Sequence, residues 1–330
     1  MRCISLRTMT IDDTPVKAEA LDPEIKTVLD VMDEQDVPPL PALTPQAARE
    51  QFEAMNEFTE SESVHYTQDI EIEGPDEPIT IRLYKPTPAD DLPVLLFLHG
   101  GGFVLGDLDS HDNVCTALAN RAEALVLSVD YRLAPEHPFP AAVKDSYAAL
   151  EWAERYADDL GGDPERLAVG GDSAGGNLTA SLTLLANDRD GPEIDRQLLI
   201  YPAVGTTSVI SQPASYEENA EGYFLEADEM EWFQRNYVQD PIHARNEYAA
   251  PLLARDLSGL PPASVVTAGF DPLRDDGIEY ARRLAADGVD VTHRNYETMI
   301  HGFLSMTGVA SNAEACLEEL ASDLTDTFDN

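Results

Sequence analysis

The sequence predicts an α/β protein: a mostly parallel central sheet of about eight strands, flanked by helices and partly covered by a helical cap. Three observations predict it. Short apolar runs recur without hydrophobic/polar alternation, helical patterns lie between them, and glycine-rich turns follow two of the runs. A strand buried on both faces reads as a continuous apolar run, and strands alternating with helices at this spacing form right-handed βαβ units. At 330 residues the chain is long enough to bury a sizeable core.

In chain order, residues 15–60 read as polar, acidic helical segments, with helices expected near 23–34 and 45–58 and breaks at Pro38, Pro39, Pro41 and Pro45. From Val64 the pattern alternates. Ile70 and Ile72 precede a Gly74-Pro75 turn, and Ile79, Ile81 and Leu83 follow it, as an antiparallel pair at a sheet edge requires. Strands are then expected at 93–98, 124–129, 166–170 and 196–202, and two more near 263–269 and 289–296. Helices are expected between them near 111–122, 140–157, 174–188 and 275–287, with a last one near 312–327. Residues 205–245 break the alternation: six aromatics, Tyr216, Tyr223, Phe224, Trp232, Phe233 and Tyr237, lie among acids without an obvious strand. An insertion of that length between two strands is expected to be a cap.

Charge excludes several functions. Acidic residues number 62 against 21 basic ones, for a formal net charge of -41. A nucleic-acid partner needs a basic stripe, and an anionic membrane surface would repel this chain, so neither is expected. No segment approaches the roughly 18 apolar residues of a membrane span, and the start, MRCISLRTMTIDD, lacks a signal-peptide core, which makes a cytoplasmic protein the expectation. Cys3, Cys115 and Cys316 lie far apart without CxxC spacing, so neither a metal site nor a disulfide framework is expected. Hydrophobic residues make up 43%, enough for a folded chain. An acidic surface with only the lysines Lys17, Lys26, Lys85 and Lys144 fits a salt-rich cytoplasm, where counterions screen carboxylate repulsion. The screening length falls from about 10 Å at 0.1 M salt to about 3 Å at 1 M. Melting temperature is therefore expected to rise between those KCl concentrations; a flat or falling curve in differential scanning fluorimetry would remove the salt-adapted reading.

The chemistry is carried by two turns and two later loops. GDSAG, Gly171 to Gly175, stands between the run 166–170 and a helical pattern, and a nucleophilic serine needs such a tight strand-turn-helix setting. A chance GxSxG arises about 0.06 times in a chain of this composition, so the placement matters as much as the motif. HGGGF, His99 to Phe103, follows the run 93–98; its glycines can aim backbone N–H groups at a developing oxyanion, and the amide of Ala174 can add another. A phosphate cradle is disfavoured, since neither GK[ST] nor GxGxxG is present. A serine nucleophile needs a base. His301 lies just past the last expected strand, whereas His99, His111 and His137 precede the serine, and His65, His243 and His293 fall in strand or insertion positions. For the orienting acid, Asp271 sits at a strand end, while the fallbacks Asp275 and Asp276 begin a helix and suit first-turn acids.

HGGGF, DYRLAPEHPFPA (Asp130 to Ala141), GDSAG, DPLRDDG and the final HGF occur in this order over most of residues 80–305. In these motifs the chain resembles the hormone-sensitive lipase family of carboxylesterases. The resemblance implies the α/β-hydrolase fold and a serine carboxylesterase acting on short- to medium-chain esters. It implies Ser173 as nucleophile, His301 as base, Asp271 as orienting acid, and the amides of Gly101, Gly102 and Ala174 as oxyanion donors. It also implies a cap formed by the N-terminal part, residues 1–60, with the insertion 205–245, on a catalytic domain spanning 61–330. Phe103 stands where many relatives have tryptophan, and Asp276 where many have glutamate, which bears on the acyl pocket and a supporting contact. The expected partner is a small-molecule ester, without cofactor or metal; a homodimer is left open. The rival readings are a non-catalytic small-molecule receptor on the same fold, which has no need of a base, and an amidase or true lipase. A lipase favours an apolar, interface-seeking face, unlike this acidic one.

Overall fold

The structure, a computed structural model, describes residues 16–35, 37–56, 60–205 and 213–329. Cys3 and residues 206–212 of the expected insertion lie outside this set. Eight strands form one sheet: β1 Tyr66–Ile72, β2 Ile79–Lys85, β3 Leu92–Leu98, β4 Leu125–Asp130, β5 Gly162–Asp172, β6 Arg196–Ile200, β7 Ala263–Phe270 and β8 Val291–Ile300. Their spatial order is β1-β2-β4-β3-β5-β6-β7-β8. β1 and β2 pair antiparallel, as do β2 and β4, and the remaining pairs are parallel. The chain therefore folds as the α/β architecture expected of it, with the alternating segment at the sheet edge.

The helices are α1 Pro23–Glu34, α2 Pro45–Asn56, α3 Asp112–Ala122, α4 Ala141–Tyr156, α5 Ala174–Arg189, α6 Ala214–Glu218, α7 Ala227–Tyr237, α8 Arg274–Ala286 and α9 Ser311–Phe328. β3 shows why strand alternation is invisible in the sequence. Its Val94, Leu96 and Leu98 pack into one apolar layer with residues of α4 and α5, while Leu95 and Phe97 pack into the opposite layer with residues of α3 and α9. Both faces are apolar because both are covered. Truncating one such leucine to alanine costs about 2–5 kcal/mol, so this strand is a rigid platform for the loop that follows it.

Two elements outside the sheet bear on its carboxyl edge. Arg49 of α2 donates to the carbonyls of Val104 (2.8 Å) and Ala134 (2.9 Å), tying α2 to the loop after β3. The short 3₁₀ turn Leu40–Ala42 packs against α7 of the insertion. α1 instead buries Ile25 in the α3/α9 layer. Acid excess is visible locally: Arg82 is shared by Asp69, Asp109 and Asp112, and Arg121 by Glu62, Glu314 and Glu318. Among the described residues no helix is long and apolar enough to cross a membrane, and no cluster of His, Cys, Asp and Glu could hold a metal ion.

Candidate active site

β3, β5, β7 and β8 all end at the same sheet edge, and each is followed by one of the four chemistry-bearing loops. After β5 the chain turns into α5 within the space of Ser173, whose backbone adopts φ 55° and ψ -115°. Such a conformation costs a non-glycine residue about 1–3 kcal/mol and holds only where packing over-determines it. The motif's glycines supply that packing. A Cβ on Gly171 would lie 2.4 Å from the Leu98 carbonyl oxygen, and one on Gly175 only 1.8 Å from it. Strand and helix thus approach β3 as no larger residues would allow. The Ser173 N–H donates to Ile200 O (2.9 Å) and its carbonyl accepts from Ala203 N (3.1 Å), which fixes the turn from the β6 side.

β8 runs to Ile300, further than the sequence pattern suggested, so His301 begins directly at the strand end. A register shift between β7 and β8 accompanies this at Gly269, where a Cβ would strike the Glu297 carbonyl oxygen at 2.0 Å. Irregularities of this kind re-aim the residues that follow them. Here they bring Asp271 and His301 together: His301 Nδ1 lies 2.8 Å from Asp271 Oδ2, and His301 Nε2 lies 2.8 Å from Ser173 Oγ. Asp271 is fully buried, and its Oδ1 accepts from Leu273 N at 2.8 Å. An ionised carboxylate only accepts, so His301 donates from Nδ1 and is left with Nε2 as the acceptor for the Ser173 hydroxyl proton. The ring of Tyr201 packs against the imidazole at 4.8 Å between centroids.

Asp275 and Asp276 point elsewhere. Asp275 pairs with Arg274 and accepts from Ser215 N, while Asp276 accepts from the Tyr216 hydroxyl at 3.1 Å. Burial pushes the Asp276 carboxyl up to about 6.

The loop after β3 faces Ser173. Gly101 and Gly102 take φ of 109° and 60°, and the turn is closed by Leu105 N donating to Gly101 O at 2.8 Å. Among the described residues the N–H groups of Gly101 and Gly102 donate to no backbone acceptor. A Cβ on Gly102 would lie 2.2 Å from the Phe233 ring, so α7 rests directly on this loop. Phe103 stacks on Tyr237 of the same helix at 3.6 Å between centroids. The Ala174 N–H stands at the first turn of α5, where backbone donors have no intrahelical partner.

Several contributors escaped the sequence reading. Asp172, beside the serine, accepts from Gly100 N at 2.9 Å and lies 3.1 Å from His111 Nε2, joining the two glycine loops. Burial pushes its carboxyl up, but the charge and hydrogen bond of His111 outweigh this and hold it below the usual range. An acid inside the GxSxG motif was the available signal. Asn219 of the insertion donates to Asp271 O (3.0 Å) and Gly269 O (3.3 Å), and no local pattern announced it. His99 is buried behind the loop, stacked on Tyr131, and burial pushes it down to about 4, so it stays neutral.

A serine-histidine-aspartate relay beside the amides of a glycine loop is suited to acyl transfer, and similarity to known proteins points the same way. The family described as the alpha/beta hydrolase fold matches residues 95–305. The chain is 42% identical over 285 residues to the carboxylic ester hydrolase LipN of Mycobacterium tuberculosis, covering 84% of this chain and 75% of that one. It is 48% identical over 249 residues to the carboxylesterase NlhH of the same organism, covering 74% and 77%. The hyperthermophilic esterase of the archaeon Pyrobaculum calidifontis superposes with a TM-score of 0.90 at 42% identity, covering 93% of this chain and 98% of that one. The chain belongs to the alpha/beta hydrolase fold family, where the hormone-sensitive lipase resemblance of its motifs also led.

Proposed function

We propose that this protein is a serine carboxylesterase that hydrolyses short- to medium-chain esters through an acyl-enzyme on Ser173. The observation that carries the reading is the pair of 2.8 Å contacts running from Ser173 Oγ through His301 to Asp271. His301 takes the serine proton as Oγ attacks the ester carbonyl. The amides of Gly101, Gly102 and Ala174 stabilise the oxyanion, and His301 then protonates the leaving alcohol. Water, deprotonated by His301, attacks the acyl-enzyme, and the carboxylic acid leaves with Ser173 restored. Each oxyanion donor is worth about 10²- to 10³-fold in kcat. Residues 1–60 and 205–245 act as the cap on the 61–330 domain; the contacts of α2 and α7 with the loop after β3 support that role.

A receptor on this fold needs no base aligned on the serine, so the relay disfavours that reading. The test is a series of p-nitrophenyl esters from acetate to palmitate in molar KCl. The highest kcat/KM is expected between acetate and octanoate. A maximum at palmitate would favour a lipase, and no turnover of any ester would remove the proposal.

A further inference from the structure

α7 is fixed over the cleft at two points. Phe233 lies on Gly102 of the loop after β3, and Phe224, just before the helix, packs on Gly302 beside His301, 3.0 Å from where a Cβ would stand. Met230, on the next turn, packs with Leu225, Tyr216 and Leu273. Residues four apart share a helix face, so Glu229 stands on the face of α7 that carries Phe233, between the two anchors. Its backbone position is fixed as well: α7 opens with a capping box in which Glu229 Oε2 accepts from Glu226 N at 3.1 Å. The side chain is half-buried, and capping uses one carboxylate oxygen.

We infer that Glu229 is a specificity-determining residue: its carboxylate, held over the cleft by α7, disfavours esters that carry a carboxylate of their own. The inference rests on the Ser173 esterase reading. Burial pushes the Glu229 carboxyl up to about 7, and positive charge on His301, present when it holds the proton taken from Ser173, pulls the other way. Above that pH the cleft holds a fixed negative charge in a partly desolvated place, where charges interact more strongly than in water. A second negative charge on the substrate meets it on approach to Ser173; a neutral ester does not.

The test compares kcat/KM for p-nitrophenyl pentanoate and mono-p-nitrophenyl glutarate, which differ chiefly by a terminal carboxylate, at pH 8 in 1 M KCl. At that salt the screening length is about 3 Å, so exposed surface acids contribute little to the difference. Glu229→Gln keeps an oxygen for the capping bond. It is expected to raise the glutarate-to-pentanoate ratio about tenfold, and Glu229→Lys to raise it further. Asp228→Asn removes a charge from the exposed side of the same helix and is expected to leave the ratio within about twofold. The ratio does not depend on the fraction of folded enzyme, so partial misfolding cannot imitate the effect. A Glu229→Gln ratio that moves no more than that of Asp228→Asn overturns the inference while leaving the esterase intact. Hydrolysis of both esters by Ser173→Ala would instead overturn the reading beneath it.

Discussion

Ser173→Ala is expected to leave a folded protein whose ester hydrolysis has fallen by about 10⁶-fold, the scale on which loss of a nucleophile acts in serine hydrolases. His301 and the amides stay in place, but no oxygen remains to carry the acyl group, and water must attack unaided. The substitution also separates catalysis from strain. Alanine has a Cβ, so at φ 55° it keeps the conformational cost that serine bears. Ser173→Gly removes that cost together with the hydroxyl. It is expected to be equally inactive and to melt higher than Ser173→Ala, by an amount reflecting about 1 kcal/mol once the freer unfolded chain is counted. Turnover of p-nitrophenyl butyrate, labelling by a fluorophosphonate and thermal melts of the two variants check both parts. Substantial turnover or labelling in Ser173→Ala would show that another group is the nucleophile.

How much of this was legible in the sequence depended on whether the determinant was local. The strands and the helices around them were legible because each buried run has its own composition, and the β3 run reads as apolar since both its faces are covered. The two glycine turns were legible for a similar reason: contacts as close as 1.8 Å leave only glycine at Gly175, and such demands write themselves into short motifs. Strand ends were less legible. β5 begins at Gly162 and β8 reaches Ile300, because pairing resumes beyond a register shift in each, at Leu92 with Gly162 and at Phe270 with Ile300, and no apolar pattern marks such a break. Least legible were Asn219, Phe233 and Glu229, all in the insertion. The partners of the first two, Asp271 and Gly102, lie tens of residues away, and the place of Glu229 over the cleft follows from how α7 is seated, so only the closed fold reveals any of them.

Asp271→Asn is expected to lower kcat by about 10⁴-fold, the loss that follows when a serine hydrolase's orienting acid becomes an amide. The geometry says how. Leu273 N–H donates to Oδ1, so an asparagine here keeps its oxygen on that side and turns its NH₂ towards His301 Nδ1. Two donors cannot face one another. The imidazole then places its proton on Nε2, leaving Nδ1 as the acceptor, and Nε2 can no longer take the proton of the Ser173 hydroxyl. Asp275→Asn and Asp276→Asn make no such demand on His301, because their partners are Arg274, Ser215 and Tyr216. Each is expected to cost less than about tenfold, with any effect arising through the seat of α6 on α8. Saturating kcat measured for all three variants in molar KCl gives the ranking. A larger loss at Asp275 or Asp276 than at Asp271 would mean that the carboxylate serving His301 during turnover differs from the one that touches it here. Equal, modest losses at all three would mean that the tautomer of His301 is fixed by something other than a carboxylate.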